Sequence, residues 1–411
     1  MTERPLRIGF LTTEYPTEAY NGGIGSYTRE MANSLARLGH SVTVLLFGAS
    51  RNGPIFDGPV RIVRIRGGVA ARLPDPFEAW FVARKVAHLA TELDLDVLEA
   101  PEWRGLTAFL TLMKPRKLRV IVRLHTCSAI VRTVNGERPT SLWQALKSRQ
   151  RDWLERRAIL TADAVTAVSS GIREQTRQAL GLPAADFPVI PNSVSDSAFA
   201  RVDLPSNSNR PEVLFVGRLE WRKGVDLLAR AIPAVLNKRP VVLFRFAGGD
   251  TPTAPGGQSM RSHLENLLPS SARSSVDFCG HLAPAKVSEA LQTAAVCVFP
   301  SRYEGLPMVC LEAMASGKAI VATDLPGFCE LIEDGKSGVI VKREAPESLA
   351  VGIERLLSDE QLRRRLGNTA RNVACSRFRG TIVAESMLRV YRTSADCHES
   401  SSELVATRVS S

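Results

Sequence analysis

Nowhere in the chain do about 18 apolar residues run without interruption, so no helix is expected to cross a bilayer. The opening stretch, MTERPLRIGFLTTEYP, meets Glu14 and Pro16 before any apolar run long enough for a secretory signal, and the expected compartment is the cytoplasm. No two of the seven cysteines (Cys127, Cys279, Cys297, Cys310, Cys329, Cys375 and Cys397) stand at C-x-x-C spacing. Their number is odd and several sit inside apolar runs, so they read as small core residues of a reduced protein, not as zinc ligands or disulfide partners. Long low-complexity tracts are missing too, which argues against extended disorder. Aromatics are not interleaved with the basic residues and no known nucleic-acid-binding module is present, so nucleic acid is not an expected partner.

What the chain does have is length and rhythm. Its 411 residues exceed one ordinary core and suit two α/β domains of roughly 200 residues each. Arg7–Thr12 reads as a strand, followed by a Gly-rich loop at 21–25, a helix from Ser26 to Leu38 and a strand at Ser41–Phe47. Val120–Leu124 and Ala164–Val168 read as later strands. A second series comprises Val213–Val216, Val241–Ala247, Val296–Phe299, Ala319–Ala322 and Gly338–Val341. Strands alternating with helices predict parallel βαβ units in doubly wound sheets. The polar, turn-rich stretch 201–211 is the expected linker, and the aperiodic tail after Thr393 is expected to be disordered. In such sheets ligands gather at the carboxyl ends of strands, and two of them facing each other leave a cleft.

Net charge is +11, of which +8 falls in residues 1–195. Residues 104–157 alone hold 13 basic and 3 acidic side chains, a concentration that suits an anionic partner or surface. Within that segment a helix is predicted from Leu142 to Leu160. Leu142, Leu146, Trp153 and Leu160 share one stripe, which is expected to pack on its own domain. Lys147, Arg149, Arg151, Arg156 and Arg157 surround the stripe and could hold an anionic membrane or a lipid-linked acceptor.

Four strand ends carry the chemistry. After Phe299 comes Pro-Ser-Arg-Tyr-Glu304-Gly305-Leu306-Pro307-Met308-Val309, then a helix that holds Glu312 and stops at Gly317. Pro307 suits a first helical position, so the amides of Met308 and Val309 should point into the loop. Two carboxylates beside those amides are poor phosphate ligands but suit the hydroxyls of a diol. The second constellation is Gly217-Arg218-Leu-Glu-Trp-Arg-Lys223-Gly224, in which Arg222 reads as an ordinary solvated residue. The third is Asn21-Gly22-Gly23-Ile-Gly25-Ser-Tyr27, whose glycines let backbone amides approach a phosphate. It fails as a dinucleotide fingerprint, because Thr28 stands where a small residue is needed. The fourth is His125, at the end of a strand; the other histidines read as structural.

The E-x7-E spacing of Glu304 and Glu312 closely resembles the donor-site signature of glycosyltransferase family four. So do Ala313-Met-Ala-Ser-Gly-Lys318, Val321-Ala-Thr-Asp324, Gly327, Glu330-Leu-Ile and Asp334-Gly335. The resemblance covers nearly the whole chain. It implies the GT-B fold, two Rossmann-like doubly wound parallel-sheet domains facing across a cleft. The expected division is an acceptor domain at 1–200, a nucleotide-sugar domain at 201–380, a helix at 381–392 returning to the first domain, and the tail at 393–411. It implies a retaining hexosyltransferase that takes a nucleotide-diphosphate sugar, UDP-glucose-type or GDP-mannose. The acceptor would be a glycan, a lipid-linked compound or a small molecule, in cell-envelope or exopolysaccharide synthesis. Glu312 would bind ribose hydroxyls, Glu304 the donor sugar, and Gly305 to Val309 sugar and phosphate. Arg218 and Lys223 would stabilise the departing diphosphate with no metal, and no D-x-D metal motif stands at a strand end. Gly22 and Gly23 would meet the donor phosphate and sugar, and His125 the sugar or the reaction centre. Ser169 and Arg173 match a less specific family feature. One departure is Pro191-Asn192-Ser193-Val194-Ser195, where the family has Pro-Asn-Gly-Val-Asp; loss of glycine is expected to restrict the turn. The competing readings are a nucleotide-sugar epimerase of the same fold and a non-catalytic basic module for membrane or nucleic acid.

Overall fold

A computed structural model describes residues 4–16, 22–48, 55–67, 74–137, 139–184, 186–200 and 210–393. The expected linker (except Arg210 and Pro211), the tail after Thr393 and Asn21 lie outside the described residues. The chain forms two compact units, Met1–Ser193 with Gly380–Ser411, and Val194–Arg379.

The first unit is built on β1 (Arg7–Thr12), β2 (Ser41–Phe47), β3 (Ile55–Asp57), β4 (Val60–Ile65), β5 (Val97–Pro101), β6 (Arg119–Leu124) and β7 (Ala164–Ala167). Their order is β3-β4-β2-β1-β5-β6-β7, and only the β3–β4 pair is antiparallel. Its helices are α1 (Gly23–Arg37), α2 (Asp75–Glu92), α3 (Ser128–Val134), α4 (Leu142–Thr161) and α5 (Ser170–Leu180). Along β2, Val42, Val44 and Leu46 join Tyr27, Met31 and Leu35 of α1, while Leu45 and Phe47 join Val82 and Val86 of α2. Successive side chains on a strand point to opposite faces, and here both faces are covered. That is why the strand reads as an unbroken apolar run. The chain leaves β1 for β2 and β4 on one side and returns to β5 on the other, so a switch point lies between β1 and β5.

The second unit has six parallel strands: β8 (Glu212–Val216), β9 (Leu243–Ala247), β10 (Val276–Gly280), β11 (Val296–Phe299), β12 (Ala319–Thr323) and β13 (Val339–Val341). Their order, β10-β9-β8-β11-β12-β13, puts its switch point between β8 and β11. Around it run α6 (Val225–Lys238), α7 (Met260–Leu267), α8 (Pro284–Thr293), α9 (Met308–Ala315), α10 (Pro326–Cys329), α11 (Pro346–Ser358) and α12 (Glu360–Arg377). The last helix, α13 (Gly380–Thr393), belongs to the first unit, where Val383, Met387 and Tyr391 enter the α1 core.

Four expectations change. The stripe of α4 is not the face that packs on its own unit: Leu142, Leu146, Trp153 and Leu160 are 93%, 55%, 49% and 44% exposed, although the Trp153 ring meets that of Phe109 at 6.0 Å between centroids. The helix lies instead on Leu154, Glu155, Ala158 and Ile159. Buried Glu155 anchors that face by accepting from the Ser128 amide at 2.9 Å and the Arg104 amide at 3.0 Å. Ser193 does not strain the chain, because the left-handed non-glycine residues described are Asp94, Arg104 and Glu344. Cys329 is no core residue; it is exposed at the end of α10, where Phe328 takes the buried position. Finally, α1 begins at Gly23, three residues before Ser26, with Gly22 as its N-cap.

Candidate active site

In the second unit, the loops after β8 and β11 rise on either side of the switch point, where ligands of open α/β sheets bind. The first carries a 3-10 turn, Trp221–Lys223, closed by Gly224 at φ 63°. A Cβ on Gly224 would collide with the Pro300 carbonyl, so glycine is required by both conformation and approach. The two loops are stitched together. The Arg302 amide donates to the Arg222 carbonyl at 2.9 Å, and Arg222 Nη1 returns a bond to the Tyr303 carbonyl at 3.2 Å. Arg302 also forks onto Asp226 at 2.6 and 2.9 Å and lies 4.0 Å over the Trp221 ring.

This stitching delivers Lys223 to Glu304. Lys223 Nζ donates to Glu304 Oε1 at 2.5 Å, where Ser301 Oγ also donates at 2.8 Å. The two side chains are only 21% and 8% exposed. Burial alone would raise the Glu304 carboxyl, but facing Lys223 and Arg222 outweigh it and hold the group below the usual carboxylate range. Arg222 is therefore not the ordinary solvated residue expected. It lies 3.6 Å from Glu304 Oε2 and donates to Glu220 Oε1 at 2.6 Å. Glu220 also takes Arg218 at 3.1 Å, and Arg218 remains half exposed. Arg218, Lys223 and Glu304 thus share one cluster, with Glu220 and Arg222 as members that the residue pattern did not single out. Position in one short turn with Lys223 was the available signal for both.

Beyond Glu304, the chain enters α9 with Pro307 at the N-cap, one residue before the position expected for it. The first amides of a helix, here those of Met308 and Val309, have no acceptor within it. Glu312 lies in the second turn and is partly buried. The loop at Glu304–Gly305 is backed by Gly327 of α10, whose absent Cβ would meet both residues' carbonyls. Other motif residues hold backbone: Asp324 accepts from the Arg343 amide at 3.0 Å and Asp334 from the Ile340 amide at 2.8 Å.

In the first unit, Gly22 and Gly23 open α1, but the nearby anion is internal. Glu14 Oε2 accepts from the Gly22 amide at 3.1 Å and the Gly25 amide at 3.3 Å. A Cβ at Gly22 would meet that carboxylate, whereas nothing lies within 4 Å of one built on Gly23. Gly23 is the open glycine of the pair. His125 follows β6, with its ring edge-on to Tyr27 of α1 at 5.2 Å between centroids. Ile24, Tyr27, Pro101 and His125 line one small cavity of about 10 Å³, room for a single water. The glycine loop and His125 therefore share a wall. Burial, helped by Arg123, pushes the His125 imidazole well below its ordinary value, so it is neutral near pH 7. Its backbone amide donates to both oxygens of Glu102, at 2.9 and 3.0 Å. Glu102 is fully buried, and burial raises its carboxyl to about 8; Glu155 is raised the same way to about 7. Glu14 and Glu102 escaped the residue reading because each acts through backbone amides, which leave no side-chain pattern. Ser169 caps α5 through the Ile172 amide at 3.1 Å, and Arg173 bonds the Phe187 carbonyl, so both brace structure. His40 accepts from the Leu6 amide at 3.0 Å and is structural as read.

Comparison with known proteins agrees over most of the chain. Residues 21–198 match Glycosyltransferase Family 4 and residues 196–373 match Glycosyl transferases group 1. The alpha-maltose-1-phosphate synthase of Mycolicibacterium smegmatis is 30% identical over 94% of this chain and 99% of its own. Sucrose-phosphate synthase from Thermosynechococcus elongatus superposes with a TM-score of 0.76 at 23% identity, over 94% of this chain and 98% of that one. An Anabaena protein solved with UDP-glucose gives 0.70 at 20% identity, over 94% and 99%. The chain belongs to glycosyltransferase family four and has the two doubly wound domains of the GT-B fold.

Proposed function

We propose that this glycosyltransferase moves a hexose from a nucleotide-diphosphate sugar to a glycan, lipid-linked or small-molecule acceptor, with retention and without a metal. The observation that carries the reading is the buried Lys223–Glu304 pair flanked by Arg222 and Arg218. Arg218 and Lys223 there would suit a departing diphosphate, beside a carboxylate suited to sugar hydroxyls. The acceptor oxygen attacks the anomeric carbon from the face the diphosphate leaves. The C–O bond to phosphate breaks, and the acceptor proton passes to a phosphate oxygen. Arg218 and Lys223 stabilise the charge that develops there. A double displacement needs a carboxylate nucleophile; in this cluster Glu304 is assigned to hydroxyls and Glu220 is held by Arg218 and Arg222. Neutral His125 offers a hydrogen bond to a sugar hydroxyl rather than a charge. A uridine donor is preferred over GDP-mannose, in keeping with the UDP-glucose carried by the Anabaena relative in fold. The reading places the enzyme in the cytoplasm, at the inner face of the membrane.

Calorimetry with UDP tests the division of labour. Glu312→Gln should weaken UDP binding by about tenfold, the loss of a charge-assisted bond to ribose. Glu304→Gln should leave UDP affinity within about twofold while impairing transfer, because its partner is the sugar. Equal losses of UDP affinity would refute the assignment. Transfer that is abolished by EDTA and restored by a divalent cation would refute the metal-free mechanism.

A further inference from the structure

Helix α4 turns its buried side, Leu154, Glu155, Ala158 and Ile159, toward its own unit and leaves the opposite face exposed, with Trp153 half covered by Phe109 at its edge. Leu142, Leu146, Arg149, Trp153, Arg156 and Leu160 follow one another at alternating steps of four and three, so they form one continuous stripe. All six are exposed. Beside the stripe stands exposed Trp143, with Lys147 Nζ 5.3 Å over its ring, and Arg157 lies 5.8 Å over that of Trp153. No acid shares this face. Asp152 turns to Arg132 at 2.6 Å and Glu155 is buried, while Arg151 is taken by Asp75 at 2.8 Å. Among the described residues neither Arg149 nor Arg156 has an acidic partner.

We propose that this face docks on an anionic lipid bilayer, with the leucines and tryptophans entering the headgroup region and the arginines meeting lipid phosphates. The occupant must be apolar and anionic at once, and a bilayer surface of acidic lipids is both. Long basic side chains extend to phosphates while their stems stay among apolar neighbours. A second copy fits poorly, because pairing two such stripes would bury Arg149 and Arg156 against one another without counter-charge. The face is also wired to the site: Glu155, on the other side of α4, holds Ser128 in the segment just after His125. This deepens the acceptor part of the proposed function, and its test reads lipid binding directly, so either can fail alone.

The experiment is co-sedimentation of the full chain with vesicles of phosphatidylglycerol and phosphatidylcholine, against phosphatidylcholine alone. Binding is expected only to the anionic vesicles, falling steeply as salt shortens the Debye length. Brominated lipid should quench part of the tryptophan emission. Leu142→Ser with Trp153→Ser, and separately Arg149→Glu with Arg156→Glu, should each lower vesicle affinity at least about tenfold. Melting temperatures within about 2 °C of the wild type would show that both variants fold. No binding to anionic vesicles at low salt overturns the proposal. So does unchanged binding in either variant, or self-association that the variants abolish.

Discussion

Lys223 and Glu304 invite a double-mutant cycle, because a structural and a catalytic role for the pair predict different outcomes. Lys223→Met keeps most of the stem but leaves a carboxylate, 8% exposed, with Ser301 at 2.8 Å and Arg222 at 3.6 Å. Removing one partner of a buried pair costs about 3–5 kcal/mol. The remaining donors reduce this to about 1–3 kcal/mol, a melting shift of roughly 3–9 °C for a unit of this size. Glu304→Gln should cost a similar amount by stranding the ammonium. With both changes no charge is stranded, so the double variant should melt within about 2 °C of the wild type, a coupling of about 2–6 kcal/mol, the sum of the two single costs. Transfer should behave otherwise. Lys223→Met should lower kcat about 100-fold with a smaller change in donor KM, and the double variant should recover none of it. The acid side adds a check. Because Lys223 and Arg222 hold Glu304 below its ordinary value, the stability it contributes is present above the unfolded value near 4.3 and lost as pH falls through the lower folded one. In Lys223→Met the folded value rises toward the unfolded one, so that loss should shrink. Near-normal kcat in Lys223→Met beside the lost stability would mean that Lys223 serves the fold and not the transfer.

Gly327→Ala should press a methyl group on the carbonyls of Glu304 and Gly305, costing about 1–3 kcal/mol in a urea melt and at least about tenfold in kcat/KM; wild-type kinetics would show that the loop yields freely. Glu102 tests the opposite pH sign. With its folded value near 8, the stability it contributes is present below about 4.3 and is lost as pH rises toward 8. Glu102→Gln should therefore gain on the wild type between pH 5 and 8, and melting curves that run parallel over that range would refute the buried-acid assignment.

Some of this architecture was open to a reading of the residues, for reasons that also explain the gaps. RIGFLT and SVTVLLF announce β1 and β2 because both faces of a parallel strand are covered and little polarity interrupts them. VRIVRI of β4 was hidden by its two arginines. VLEAP of β5 was hidden by Glu99, a carboxylate made tolerable in the core by bonds from Tyr27 at 2.7 Å and Tyr391 at 2.5 Å. Those partners stand 72 and 292 residues away, beyond any local window. In α4 the period was legible but the face was not. Periodicity reveals that a stripe exists; which side turns inward was decided by Glu155, whose partners Ser128 and Arg104 lie in other segments.

The cluster around Glu304 was legible because its members sit within a few residues of two strand ends, where fold geometry gathers them. What the residue pattern could not show is that the positive groups are already occupied. Glu304 holds Lys223, Glu220 holds Arg218 and Arg222, and in the other unit Glu14 holds the amides of Gly22 and Gly25. Under the proposed function a phosphate meeting Arg218 would displace or share Glu220, so its binding there would be an exchange of one anion for another. The net gain is then a difference between two charge-assisted contacts, far smaller than either alone. Such a site would discriminate by charge count. Under the proposed function a single phosphate, little better than the carboxylate it displaces, would gain little, whereas a diphosphate would engage Arg218 and Lys223 together. Under the proposed function, internal carboxylates of this kind would hold the three cations in place before the donor arrives and leave their charge for the moment the sugar–phosphate bond breaks.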